Sequence, residues 1–327
     1  MTALRNRLIV FLLLISTFGF SQNQQFFELS DTFSKPRFWS TVGTSTALFT
    51  GTIIGLNEIW YKDFERSSFH TFNDWREWNN MDKAGHAFTA YFQTSYSFDV
   101  MRWTGVDRRN ALWVAMGLGT LFQGTIEILD GYSEKWGFSV YDVGFNTAGI
   151  FLFAGQELAW QDQRFVLKVS NSFPTYSNED ILSRSGDATS SPAERAEELY
   201  GSALSTRFIK DYNGQTIWLS LNPASFINSN TPFPKWLNVA VGYGAENLYG
   251  GYVNSWNNID DQSFTLNTPN FQRSKQFFLS LDIDLKRIKT KKPFIRFLLK
   301  GLNIFKIPSP TLSLTEGKGI RFHALYW

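Results

Sequence analysis

Three stretches decide how this chain is read: Asp82-Lys83-Ala84-Gly85-His86, Glu127-Ile128-Leu129-Asp130-Gly131, and Asp142-Val143-Gly144-Phe145-Asn146-Thr147-Ala148-Gly149. Each sets ionisable or amide side chains inside an otherwise apolar, glycine-rich segment. Polar groups at core positions cost free energy unless they are paired, and in a bilayer such residues mark a functional site with a partner. Helices that each bring one cluster therefore converge on a single polar locus.

Within that locus Asp82 and His86 stand four residues apart and share a helix face, with Lys83 next to them. Glu127 and Asp130 lie near the C-terminal end of an apolar helix, where acids oppose the helix dipole. They need compensation, and Lys83 and Lys135 are the available cations. Ser139-x-x-Asp142 is a capping pattern that opens the next helix. Asn146 follows one turn later on the same side, and Gly149 admits a neighbouring helix. Three readings fit. The cluster Asp82, Lys83, His86, Glu127, Asp130, Asp142 and Asn146 is a buried network that fixes helix packing. Or His86, Glu127, Asp130 and Asp142 form an acid/base or metal site for a hard or borderline divalent ion. Or the locus is a groove for a lipid or glycan head group. The spacing matches no dedicated metal motif, and no nucleophile elbow, phosphate loop or dinucleotide turn is present. No cofactor is implied.

Working outward, Thr41–Ile59 reads as a helix close to membrane-spanning length, with Trp60-Tyr61 at its end as an interfacial belt would have. Residues 62–80 read as loop plus short helix. Further helices are expected from Asp82 to Arg102, from Asn110 to Leu129, and from Ser139 to near Trp160. Gly117, Gly119 and Gly124, then Gly144, Ala148, Gly149, Ala154 and Gly155, suit close helix packing.

The N-terminal 1–21 segment has the form of a secretory signal. Arg5 and Arg7 precede the apolar run Leu8–Ile15, and Gly19 and Ser21 set a cut before Gln22. Residues 22–38 read as a linker. Losing Arg5 and Arg7 takes the net charge from +2 to zero, so no polyanionic partner and no nucleic acid is implied. There is no cysteine, which excludes disulfides, thiolate metal sites and an acyl-cysteine anchor. Aromatic residues make up 17% and charged residues only 18%, a balance suited to a membrane boundary.

Residues 166–204 read as a linker ending in a short helix from Ala193. Beyond Asp211 the apolar period becomes two. Ile217-Leu219-Leu221, Leu237-Val239-Val241-Tyr243, Phe277-Leu279-Leu281-Ile283 and Ile320-Phe322-Ala324-Tyr326 read as four half-buried antiparallel strands. A single-chain membrane barrel needs about eight strands, so a soluble or surface-lying sheet is the expectation. Between Asp284 and Glu316 the chain carries no acid. Lys289, Lys291, Lys292, Arg296 and Lys300 flank an apolar stripe of Phe294, Ile295, Phe297, Leu298 and Leu302. This is a basic amphipathic helix, lying either on an anionic membrane surface or over the sheet.

Asp82-Lys83-Ala84-Gly85-His86-Ala87-Phe88, Glu127-Ile128-Leu129-Asp130-Gly131 and Asp142 with Asn146 and Gly149 together resemble the YfiM-like predicted periplasmic lipoproteins. More distantly they resemble the VanZ-like membrane proteins linked to glycopeptide resistance. The resemblance covers about residues 40–160. It implies an envelope location and the same polar cluster, and it implies no reaction. The absent cysteine and the long β-rich C-terminal region depart from that pattern.

The expected fold class is α+β: an N-terminal membrane-associated helical bundle (39–165), then an antiparallel β-rich region with an amphipathic helix (205–327). The expected protein is exported to the periplasm or outer membrane of a Gram-negative cell, with membrane lipid or glycolipid as partner. Its expected role is structural or lipid-interacting. The alternative is a membrane-associated hydrolase or metal-dependent enzyme using His86 and the nearby carboxylates.

Overall fold

The computed structural model describes residues 24–327 apart from 63, 228–231 and 267, so the expected signal segment lies outside the described residues. The architecture is α+β. Helix α1 (Lys35–Leu56) runs on into a single π turn, Asn57–Tyr61. It is followed by α2 (Met81–Trp103), α3 (Arg108–Gly131) and α4 (Val140–Trp160). Asp107 caps α3 by accepting from the Asn110 amide at 3.0 Å, and Ser139 caps α4 by accepting from the Asp142 amide at 3.1 Å. The three helices α2, α3 and α4 close around Tyr91, Phe98, Met101, Leu112 and Phe153. At Gly149 a Cβ would stand 2.2 Å from the Ala87 carbonyl oxygen, so α4 meets α2 backbone to backbone as expected. At Gly117, Gly124, Gly144 and Gly155 a Cβ would instead meet open space.

Strand β1 (Phe165–Asn171) follows at once, inside the stretch expected to be linker. Next come the small ladder of β2 (Ile181–Leu182) and β3 (Thr189–Ser190), then helices α5 (Pro192–Tyr200) and α6 (Leu204–Lys210). Strands β4 (Gln215–Leu221) and β5 (Leu237–Glu246), the short pair β6 (Ser255–Asn257) and β7 (Ser263–Thr265), and β8 (Ser274–Ile283) complete the middle of the chain. Helix α7 (Pro293–Leu302), β9 (Ser309–Thr315) and β10 (Gly319–Tyr326) close it. Six strands form one antiparallel sheet in the order β1-β4-β5-β8-β9-β10. The outer edge of β1 is covered by residues 304–306: the Val169 amide donates to Ile304 O, and the Lys306 amide to Val169 O.

The sheet rolls up. Strands β4 and β10 are four ladder steps apart, about 19 Å in a flat sheet. Yet the Thr216 and Tyr326 hydroxyls are 3.4 Å apart, and the Trp218 and Tyr326 rings are 6.2 Å centre to centre. Gly242 makes room inside, since a Cβ there would lie 2.7 Å from the Trp218 ring.

The buried side of the alternation is largely polar, with Trp218, Ala240 and Phe278 as its apolar members. One register row, Leu167-Leu219-Val241-Leu279-Leu312-Phe322, crosses all six strands; Val241, Leu279, Leu312 and Phe322 are exposed, while Leu167 packs against the helical core. On β10 the apolar residues Ile320, Phe322 and Leu325 are 68–73% exposed. Inside, Lys168 Nζ meets Asp282 Oδ2 at 2.7 Å, with neither side chain accessible. Asp282 also accepts from Ser220 Oγ (2.6 Å) and the Ile307 amide (3.2 Å), and Lys168 donates to Ile283 O (2.8 Å). Asn238 and Asn222 extend this network, and Thr311 bonds Ser280.

Removing one partner of a buried ion pair leaves the other charge stranded. Asp282→Ala should therefore cost about 3–5 kcal/mol in equilibrium denaturation, whereas Leu279→Ala on the outer face should cost under about 1 kcal/mol. Lys306 is also enclosed, its Nζ 4.8 Å from the Trp218 ring and donating to Ile307 O at 2.8 Å. Burial pushes its ammonium down from 10.5 to about 8, against the pull of Asp282. Between those values the unfolded chain binds more protons than the folded one, so this group adds stability as pH rises. That gain should be missing from Lys306→Met when denaturation midpoints are compared at pH 8 and pH 10.

Candidate functional site: a lysine-centred charge cluster

Helix α2 starts from a turn with three successive left-handed residues, Trp78 (φ 49°), Asn79 (φ 51°) and Asn80 (φ 63°). Non-glycine residues pay on the order of 1 kcal/mol or more for that conformation, so it persists only where surroundings fix it. Here the Trp78 amide donates to Gly251 O at 2.7 Å, and the Tyr243 hydroxyl donates to Asn79 O. The sheet region thus sets where the first turn of α2 begins, and with it Asp82 and Lys83.

Lys83 is wholly buried. Its Nζ lies 2.6 Å from Asp74 Oδ2, 2.7 Å from Asp142 Oδ1 and 3.0 Å from Asp82 Oδ2. Burial alone would strip its proton. The Asp82 and Asp142 carboxylates reverse that and hold the ammonium above the ordinary lysine range. Asp74 Oδ1 accepts from Ser139 Oγ at 2.6 Å, so the residue that caps α4 also anchors a partner of Lys83. Asp142 is pushed up to about 8 by burial and by Asp82, while hydrogen bonds from Asp142, Lys83 and Ser139 outweigh burial and pull Asp74 down.

His86 sits one turn further along α2. Its Nδ1 is 3.1 Å from Asn146 Oδ1 and 3.5 Å from Glu127 Oε1. Its Nε2 is 3.7 Å from Asp82 Oδ1 and 3.8 Å from Asp142 Oδ1. Burial opposes its charging, but Asp82, Asp142 and Glu127 win and push it up to about 9. Asn146 Nδ2 donates to Glu127 Oε1 at 3.1 Å. Burial raises Glu127 to about 7, against the pull of His86. Among the described residues no hydroxyl is hydrogen-bonded to His86, so no activated nucleophile stands beside it.

The structure brings Asp82, Lys83, His86, Glu127, Asp142 and Asn146 into this one cluster. Asp130 stands at its side and accepts from the Tyr61 hydroxyl at 2.7 Å; burial raises it to about 6. Neither expected cation compensates Glu127 or Asp130. Lys83 is taken by three aspartates, and Lys135 lies 4.1 Å from the Phe64 ring and 5.4 Å from that of Trp136. Lys289, Lys291, Lys292, Arg296 and Lys300 are remote, on and before α7, where Lys300 pairs with Asp99 at 2.7 Å. Sequence reasoning missed Asp74 and Tyr212, whose hydroxyl donates to Asp82 Oδ1 at 3.0 Å. Both lie in aperiodic segments that carry no pattern to read.

Lys83→Met should strand three buried carboxylates and lower stability by about 3–5 kcal/mol. Pairing it with Asp74→Asn should recover part of that loss, a coupling that a double-mutant cycle on thermal unfolding would measure.

Residues 71–154 match the family model described as "Predicted periplasmic lipoprotein (DUF2279)", which spans α2, α3 and most of α4 with the whole charge cluster. No curated protein and no solved structure matches the chain. The resemblance to VanZ-like membrane proteins finds no support in these comparisons. The lipoprotein description meets no cysteine in these 327 residues. What the 71–154 segment shares with that family makes this an exported cell-envelope protein, periplasmic or membrane-associated.

Proposed function

We propose that the protein is a lipid-interacting component of the cell envelope, seated in lipid by its apolar exterior, with the charge cluster fixing how its helices pack. One observation carries this reading: the rolled sheet turns its apolar rows outward and buries its polar rows around an ion pair. Burying one large apolar side chain is worth roughly 1.5–3 kcal/mol in water. Exposing Val241, Phe277, Leu279, Leu281, Leu312, Leu314, Ile320 and Phe322 together would be a heavy penalty if the surroundings were aqueous. Apolar-out, polar-in alternation is the pattern of strands that face lipid.

The helical half supports the same reading. Among the described residues α3 is the helix long and apolar enough to cross a membrane by length and composition, with 28% of its most apolar window buried. Along all of α1, only Thr41 is buried. Helix α7 keeps its apolar stripe away from the sheet: Phe294, Phe297 and Leu302 are exposed, and Phe27 is the aromatic neighbour of the first two. Lys289, Lys291 and Lys292 lead into that helix, as in a segment lying on an anionic lipid surface.

Cells expressing the chain with a tag after Gln22 would be fractionated and the membranes washed with alkaline carbonate. The expected result is retention in the membrane pellet. In a Leu279→Asp/Leu312→Asp chain, retention should fall several-fold. Release of the unaltered protein by carbonate, as a monodisperse species without detergent, would overturn the reading.

A further inference from the structure

We propose that Asp82, His86 and Asp142 bind one divalent cation of the Mn2+ or Zn2+ class. This site is independent of the lipid-facing surfaces. One donor atom from each residue lies within 4.8 Å of the other two. His86 Nε2 is 3.7 Å from Asp82 Oδ1 and 3.8 Å from Asp142 Oδ1. Metal–ligand bonds of about 2.1 Å at a tetrahedral angle set donors about 3.4 Å apart, so each carboxylate needs to approach His86 Nε2 by only a few tenths of an ångström. An imidazole with two carboxylates is the donor set that borderline divalent ions take.

The tautomer of His86 follows from its neighbours. Asn146 Nδ2 donates to Glu127 Oε1, which turns Asn146 Oδ1 towards His86. An oxygen can only accept, so Nδ1 carries the proton and donates to it. An ion that binds displaces the proton from Nε2, and the lone pair this frees faces Asp82 and Asp142. A ring nitrogen held by an outer hydrogen bond while the other faces carboxylates is how ligating histidines are oriented.

Charge points the same way. Four carboxylates, from Asp74, Asp82, Glu127 and Asp142, gather around Lys83 and His86. Glu127 is 1% exposed, and its Oε2 has no hydrogen-bond partner. A buried, unpaired carboxylate oxygen is costly, so this region as a whole carries an excess of negative charge that a cation at the Nε2 side of His86 would reduce. Asp82 and His86 keep 22% and 16% of their side-chain surface open, which leaves an entry path.

The test uses the full chain in detergent, carrying no polyhistidine tag and stripped with EDTA. Titration calorimetry with MnCl2 and ZnCl2 should show one ion per chain, with affinity falling at least ten-fold in His86→Gln. The chain has three histidines, so a His70→Gln/His323→Gln protein retains His86 alone. Zinc K-edge absorption on that protein should show one imidazole and at least two oxygen donors, a readout that stands even if His86→Gln fails to fold. No saturable binding by the unaltered chain up to millimolar metal, unchanged affinity in a folded His86→Gln, or a spectrum without imidazole would each overturn the proposal.

Discussion

The whole helical half depends on one desolvated ammonium. Lys83 reaches the interior with its side chain wholly inaccessible, a position that costs several kcal/mol unless opposite charge meets it. Three carboxylates do, and they come from three places: the aromatic loop (Asp74), the first turn of α2 (Asp82) and the first turn of α4 (Asp142). A contact so sensitive to distance fixes where both helices begin. It also explains why the chain tolerates a left-handed turn before α2. Ser139 couples the two demands, since its hydroxyl both caps α4 and holds Asp74.

The same logic recurs in the sheet, with Lys168 and Asp282 in the central roles. In both halves a buried ion-pair network stands beside an apolar cluster, Tyr91, Phe98 and Phe153 in the helices and Trp218 and Phe278 in the sheet, while many apolar side chains remain exposed. A water-soluble domain distributes these classes the other way.

Much of this was legible in the sequence, and the gaps have physical causes. Helix α4 was readable from Ser139 onward because a cap leaves a local signature. The convergence of His86, Glu127, Asp142 and Asn146 was readable because polar residues stand out in an apolar helix. Alternation in β5 and β8 showed two unlike faces, but a period of two cannot say which face is buried; only the environment decides that. Strand β1 falls where the sequence suggests a linker, since Lys168 and Ser170 look like solvent residues; both are buried. Strand β9 hid because its inward side is built of small hydroxyls, Ser309, Thr311, Ser313 and Thr315, which also suit a loop. Asp74 had no periodicity to betray it.

The strip formed by residues 304–306 along β1 has a bearing on how the chain assembles. The bundle is built from neighbours in sequence and can form early, since local contacts close quickly. The outer edge of β1 is different: Val169 finds its backbone partners only when Ile304 and Lys306 arrive. Until then a strand edge stands open beside a finished bundle, and open edges invite pairing with other chains. The order of assembly therefore makes β1 a point of vulnerability during export, and the segment just before β9 acts as the latch that ends it.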